Sequence, residues 1–394
     1  MTLSLDMYTT AALGLAMNYL GVLLRRKIGF LERFCIPAPV VGGLLFAIVN
    51  LVLYRSGILE ISFNETLKDF FMMVFFTTVG FQADLQSMKK GGRTLTVFLF
   101  LTAGLIVLQN ISAVGLSKLM GISPLFGMCT GSIPMVGGHG TSAAFGPVLE
   151  SMGFDGATSY ATAAATFGLI FGSLAGGPIA RSLITKYSLV SEAGRERPEE
   201  ESEQKEKIRF NNLSGACFII IFSLGTGTVL SHLVSLANIN FPAYLGPMLV
   251  AATIRNITEH TGKKRVPMAE IEEISSISLT IFLGIAMITL KLWQLAALAL
   301  PLIIMLAVQL ILIILYSRFL VFRCMGGDYD AAVIVAGLCG FGLGATPNAL
   351  ANMQSVCGRY GYSEKAFLIV PLTGALFVDF INSGIITVFL NLLA

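Results

Sequence analysis

Two glycine-rich stretches hold most of the residues able to do chemistry. The first runs from Ser132 to Gly146 and carries Pro134, Gly137, Gly138, His139, Gly140, Thr141 and Ser142. The second runs from Gly340 to Asn352 and carries Gly342, Gly344, Ala345, Thr346, Pro347 and Asn348. Each breaks an otherwise apolar region. In lipid, helices satisfy their own backbone, so irregular backbone survives only where protein or a water-filled cavity covers it. A helix that restarts after such a break offers free N–H groups and a positive dipole end, which suits a carboxylate. The sequence predicts restarts at Thr141 or Ser142, as N-caps, and at Thr346 and Pro347. Gly137, Gly138, His139, Gly140, Thr141, Ser142, Ala345, Thr346, Pro347 and Asn348 are therefore the candidate substrate-binding residues.

Carbonyls freed at a break, with the oxygens of Ser132, Thr346 and Asn348, are hard ligands of the kind a sodium ion takes. Asp379 sits mid-span, where a charge costs on the order of 2.5–3.5 kcal/mol and is functional by default. Asn382 follows one turn later on the same helix face, and the pair is expected to join the cation site on the side of the second break. His139 is the one histidine within a break; it is expected either to meet substrate or to make a structural hydrogen bond. Ser142 and His139, three apart, also allow an intramembrane serine hydrolase, since a nucleophile needs a base in reach. No nucleophile-elbow pattern surrounds Ser142, and a second matched break has no use in hydrolysis. Gln109, Asn110 and Gln309 lie deep in spans and are expected to cross-link helices.

The elements that must position these residues are membrane helices. Of 394 residues 55% are hydrophobic and 12% charged, against roughly 25% charged in a soluble chain. Six cysteines without a CxxC spacing argue against a disulfide framework or zinc site. The small net charge of +3 gives no footprint for nucleic acid. No removable signal peptide is read at the N-terminus. Apolar runs predict spans at 7–24, 36–53, 70–81, 95–119, a broken 125–149, and 160–180. A charged linker follows at 191–210, and then spans at 213–236, 241–254, 274–290, 295–322, a broken 331–353, and 366–393. The breaks align at a shift of about 206 residues, Gly138 on Gly344 and Ser142 on Asn348, which predicts an internal repeat. Residues 1–190 form the first repeat and 211–394 the second. With five crossings per half and each break re-entrant, near 124–148 and 328–357, 22 of the 26 Lys and Arg fall on one side. The positive-inside rule makes that side, with the linker, cytoplasmic and puts both termini outside. The fold class expected is an all-α polytopic membrane protein with two inverted repeats.

The run from Gly137 to Thr141, the run from Gly340 to Gln354, and the segments 36–43, 291–293 and 328–332 resemble the bacterial glutamate:sodium symporter family. The likeness covers nearly the whole chain except the linker. It implies a secondary transporter of the bacterial inner membrane, not an enzyme, with glutamate as substrate and Na⁺ as coupling ion. It also implies elevator-type movement and a homodimer in the lipid bilayer. Another dicarboxylate or amino acid remains open as cargo. Residues 94–119 and 295–322, long and continuous, are expected to supply the scaffold or dimer face.

Overall fold

The computed structural model describes residues 2–33, 36–83, 85–191, 210–236, 242–261 and 266–393. The expected linker falls almost wholly outside them. Among the described residues the chain is helical but for one short parallel strand pair, Thr2–Leu5 with Glu60–Phe63. The all-α expectation missed this pair. Its two segments alternate polar and apolar residues over only four positions each, too short a signal to separate from loop. Asp6 then caps the first helix, its Oδ1 accepting from the Thr9 amide at 2.7 Å. That bond holds the Asp6 carboxyl below its usual range.

Among the described residues seven helices are long and apolar enough to cross a bilayer: Met7–Lys27, Ala38–Arg55, Gly92–Leu119, Ala157–Tyr187, Asn212–Val234, Met268–Ile288 and Ala299–Cys324. Shorter helices occupy Thr66–Gln82 and Leu245–Thr261. The expected last span is divided into Glu364–Leu372, a wide π turn at Thr373–Phe377, and Val378–Leu393. Pro371 lies just before that turn; its ring blocks the regular backbone ladder, a common origin of such irregularity. Helix starts recur in the same order in both halves, Met7 with Phe210, Ala38 with Leu245, Thr66 with Met268, Pro124 with Tyr329 and Ala157 with Glu364.

The chain divides into two compact units, and each half of the sequence contributes to both. The first unit comprises Met1–Phe81, Ala143–Tyr160 and Lys207–Ala299. Here Met7–Lys27, Ala38–Arg55 and Met268–Ile288 pack together. They approach so closely that a Cβ on Gly21 would overlap the Ala38 carbonyl, and one on Gly42 the Met17 carbonyl. Small residues at helix contacts are what brings backbones together in lipid, where apolar burial gives no driving force. Tyr54 and Trp293 stack, ring centroids 4.1 Å apart.

The second unit comprises Gln82–Ser142, Ala161–Glu206 and Leu300–Ala394. It contains both glycine-rich breaks, the first as far as Ser142. It also contains the long helices Gly92–Leu119 and Ala299–Tyr316, apart from residue 299 itself. The two helices expected to supply the scaffold or dimer face thus lie in the same compact unit as the breaks. Their polar residues explain it: Gln109, Asn110 and Gln309 are buried and bond to the broken segments or to each other.

Candidate functional site

Each break is a place where a helix stops and another begins. In the first, Ser132–Met135 is a single turn, and the next helix starts at Gly138 and runs to Ser151. Gly138 has φ +60, a conformation that only glycine adopts without cost. Thr141 and Ser142 thus lie inside the first turn and are not N-caps, because the glycines let the helix begin earlier. In the second break, Tyr329–Leu343 ends at Gly344, and Thr346–Tyr360 starts after Ala345, whose side chain makes no cap. The amides of Asn348 and Ala349 fold back on the Ala345 carbonyl at 3.0 and 3.3 Å. Pro347 stands at the start, where its missing N–H removes nothing from the helix.

The two breaks meet. A Cβ on Gly138 would lie 3.1 Å from the Gly344 carbonyl oxygen. Asn110 Oδ1 accepts from the Ser132 amide at 2.8 Å, and Gln109 Nε2 donates to the Gly342 carbonyl at 2.9 Å. Gln309 Nε2 donates to the Gln109 carbonyl at 2.9 Å. One helix thus holds both broken segments through two adjacent side chains, the cross-linking expected of all three amides. Asn382 Nδ2 donates to the Ser132 carbonyl at 3.2 Å, which ties the last helix to the first break rather than only to the second.

Several buried oxygens of these segments have no hydrogen-bond partner among the described residues. They are Ser132 Oγ, Asn348 Oδ1, Asn382 Oδ1 and Thr373 Oγ1. Leaving a buried acceptor unmade costs about 1–3 kcal/mol; Gln109 Oε1, Gln309 Oε1 and Thr162 Oγ1 of the same unit are unpartnered too, and a group of this size points to a ligand that completes some of them. The first four are hard donors, matched to a sodium ion. Asp379 is half-buried and has no hydrogen bond or ion pair among the described residues. The π turn leading into it faces Thr346: a Cβ on Gly374 would lie 3.0 Å from Thr346 Oγ1. Wide turns of this kind recur at functional sites. Of the five expected cation ligands, Ser132, Asn348 and Asn382 present orphaned oxygens, and Thr346 lies against the segment preceding Asp379. Thr373 was missed; its only sequence signal is its place two residues after Pro371.

The substrate candidates divide by access. Gly137, Gly140, Ala345, Thr346 and Pro347 are partly or fully exposed, whereas Gly138, His139, Thr141, Ser142 and Asn348 are buried. Ser142 Oγ is 2.7 Å from the Gly138 carbonyl oxygen and 3.2 Å from that of Ala161. His139 Nε2 lies 3.0 Å from Thr166 Oγ1, whose single proton goes to the Thr162 carbonyl at 3.1 Å. Nε2 must then carry the hydrogen and donate to Thr166. Ser142 and His139 are engaged with different partners and make no nucleophile–base pair, which removes the hydrolase reading. Thr166 rather than a backbone carbonyl is the partner of the histidine.

A further feature escaped the sequence reading. Gly168, Gly172 and Gly176 form a stripe at a spacing of four on Ala157–Tyr187. A Cβ on Gly168 would overlap the Leu343 carbonyl, and one on Gly176 would overlap the side-chain amide of Asn352. This close approach lets Asn348 Nδ2 reach the Leu169 carbonyl at 3.0 Å and Asn352 Nδ2 the Gly172 carbonyl at 2.9 Å. Asn352 also reaches Ala336 at 3.2 Å across the second break. The same Asn348 contact leaves its Oδ1 as the free oxygen.

Comparison with known proteins agrees with this arrangement. The sodium/glutamate symporter family model matches residues 3–362. The chain is 40% identical over 394 residues to the sodium/glutamate symporter of Escherichia coli (strain K12), covering 98% of each. It is equally similar to that of Shigella flexneri. It is 38% identical over 395 residues to that of Haemophilus influenzae, again covering 98% of each. A match of this extent, over a chain whose apolar helices read as a multi-pass membrane protein, leaves one conclusion: the chain belongs to the sodium/glutamate symporter family.

Proposed function

We propose that the chain is a secondary active transporter that carries glutamate into the bacterial cell by symport with Na⁺. The observation that carries this reading is the set of buried, unpartnered oxygens in the unit that holds both breaks, Ser132 Oγ, Asn348 Oδ1, Asn382 Oδ1 and Thr373 Oγ1. Sodium is a co-transported substrate in this reading. Ser132, Thr346, Asn348, Asp379 and Asn382 are its ligands. The substrate carboxylates are met by the amides that open the helices Gly138–Ser151 and Thr346–Tyr360. Gly137 to Ser142 and Ala345 to Asn348 line that site, with the exposed members closest to the substrate path.

Coupling follows from shared parts. Asn382 and Asn110 hold the carbonyl and amide of Ser132, so a cation drawing on Ser132 and Asn382 oxygens also fixes the tip that presents the Gly138 amides. Sodium and glutamate then raise each other's affinity by the same factor.

The topology in this reading is two inverted repeats with re-entrant breaks, both termini outside and the linker cytoplasmic. The limbs Tyr329–Leu343 and Thr346–Tyr360 have 15 residues each, roughly 22 Å at 1.5 Å per residue. That is shorter than the roughly 17 residues at the low end for a spanning helix, which supports limbs that do not span. Contacts within each unit also respect the charge-derived sides. Thr2–Leu5 pairs with Glu60–Phe63, and Tyr160 bonds the Gln294 carbonyl at 2.6 Å, all on the outer side. Ser191 bonds the Tyr362 carbonyl at 2.6 Å, and Arg318 bonds Ser182 at 3.0 Å, all on the cytoplasmic side. The unit carrying both breaks acts as the moving body of an elevator, and the other is the scaffold through which two copies dimerise.

The test is uptake of labelled glutamate into proteoliposomes with and without an inward Na⁺ gradient. Accumulation above equilibrium only with the gradient is expected; equal accumulation in both would sink the reading. Competition by unlabelled aspartate or citrate reports the cargo range.

A further inference from the structure

A cleft of about 550 Å³ opens between Ala157–Tyr187 and Thr346–Tyr360, within the unit that carries the breaks. Arg181 lines it from the first helix and Arg359 from the second, and both are exposed. No Asp or Glu lines the cleft, and neither arginine makes an ion pair among the described residues. A third guanidinium stands at its wall, where Arg318 donates to Ser182 Oγ at 3.0 Å. Arg359 lies 5.6 Å from the centre of the Tyr360 ring, a contact that holds a planar guanidinium in place. Ser355 adds a hydroxyl. A counter-charge for a helix C-terminus would explain Arg359, which is in the last turn of its helix. It does not explain Arg181, which stands six residues before the end of its own.

Guanidinium forks with neighbouring hydroxyls are phosphate-recognition chemistry. Basic pockets between membrane helices take lipid headgroups. The surface next to the arginines favours a lipid over a free anion. Seven residues before Arg181, on the same face of the helix, Leu174 is 45% exposed. We propose that this cleft holds the phosphate of an anionic membrane lipid between Arg181 and Arg359, with an acyl chain lying along Leu174. The proposal uses the membrane reading of Ala157–Tyr187 and is independent of which solute is carried.

The experiment measures thermal unfolding of the purified full chain in non-ionic detergent. The additives are dioctanoyl-phosphatidylglycerol, dioctanoyl-phosphatidylcholine and inorganic phosphate at equal concentration. Phosphatidylglycerol is expected to raise the midpoint by several degrees and the other two are not. The double variant Arg181→Gln with Arg359→Gln is expected to lose most of that shift. An equal shift with phosphatidylcholine would overturn the proposal by making binding blind to charge. An equal shift with inorganic phosphate would overturn it in favour of a free-anion site. If the double variant does not fold, Arg181→Lys keeps the charge but not the fork; a lipid shift fully retained there overturns the proposal, and a reduced one supports it.

Discussion

The side-chain oxygen of Asn110 accepts the backbone amide of Ser132 at 2.8 Å, deep within the unit that carries both breaks. Ser132 opens the short helical turn before the glycines, so this bond serves as the cap that its own sequence lacks. The neighbouring residue Gln109 holds Gly342. A dipeptide on a continuous helix thus sets the relative position of two discontinuous ones.

Asn110→Leu should leave the Ser132 amide buried and unpaired, at a cost of about 1–3 kcal/mol. The expected outcome is a Na⁺ half-saturation raised roughly tenfold, since 1.4 kcal/mol corresponds to a factor of ten. Initial-rate uptake at saturating glutamate against Na⁺ concentration reads it. An unchanged Na⁺ dependence would mean that the tip is held without Asn110.

Asp379→Asn removes the one carboxylate near the π turn while keeping its size. Sodium-driven uptake should fall by at least tenfold, with protein level in the membrane preserved. Exchange of internal for external glutamate at high Na⁺ separates a binding defect from a coupling defect. Full retention of gradient-driven uptake would take Asp379 out of the ion site.

Gly168→Val should destabilise strongly, because the added Cβ overlaps the Leu343 carbonyl and backbone cannot yield cheaply. Overpacking of this kind costs typically about 1–3 kcal/mol. Gly177→Ala, on the same helix with nothing within 4 Å of the new Cβ, is the matched control and should leave the unfolding midpoint within a degree or two. Thermal unfolding in detergent compares them.

Thr166→Val leaves His139 Nε2 without its acceptor, whereas Thr166→Ser keeps it. The valine variant should lose stability by about 1–3 kcal/mol and the serine variant much less. Equal loss in both would mean that the methyl packing of Thr166, and not its hydroxyl, matters at this position.

Much of the site was legible from residue types. Pro134, the glycines at 137, 138 and 140, and the run from Thr346 to Asn348 announce breaks because their local backbone preferences oppose a helix. Asn382 and Ser132 stood out as polar atoms in apolar sequence, and both end with an unpartnered oxygen. What lay hidden depends on who faces whom. The Gly168, Gly172 and Gly176 stripe matters only because Tyr329–Leu343 packs on it, and small residues alone do not name their partner. Asn110 reads as a helix cross-link until the donor to its oxygen is seen to be the amide of Ser132. Thr373 is an ordinary threonine in sequence, since most such hydroxyls bond back to their own helix; only the altered turn leaves its oxygen free. The first helix starts at Gly138, ahead of the expected Thr141 or Ser142, because glycine removes the side-chain requirement that places a cap; the second starts at Thr346 as the sequence predicts.

The π turn at Thr373–Phe377 also makes the site sensitive to chain length. Such a turn is an α-helix that has absorbed one surplus residue. Deleting any one of its five residues would let the regular ladder close again. The wide turn takes up the surplus residue within itself, so the helix after it would stay near its phase and Asn382 near the Ser132 carbonyl, whereas Thr373, inside the turn, would regain a carbonyl of its own helix and lose its free oxygen. A chain without the surplus residue would hold the same side chains and lack the free Thr373 oxygen. A gap of one position in this segment is therefore the change to look for when tracing where the ion dependence arose.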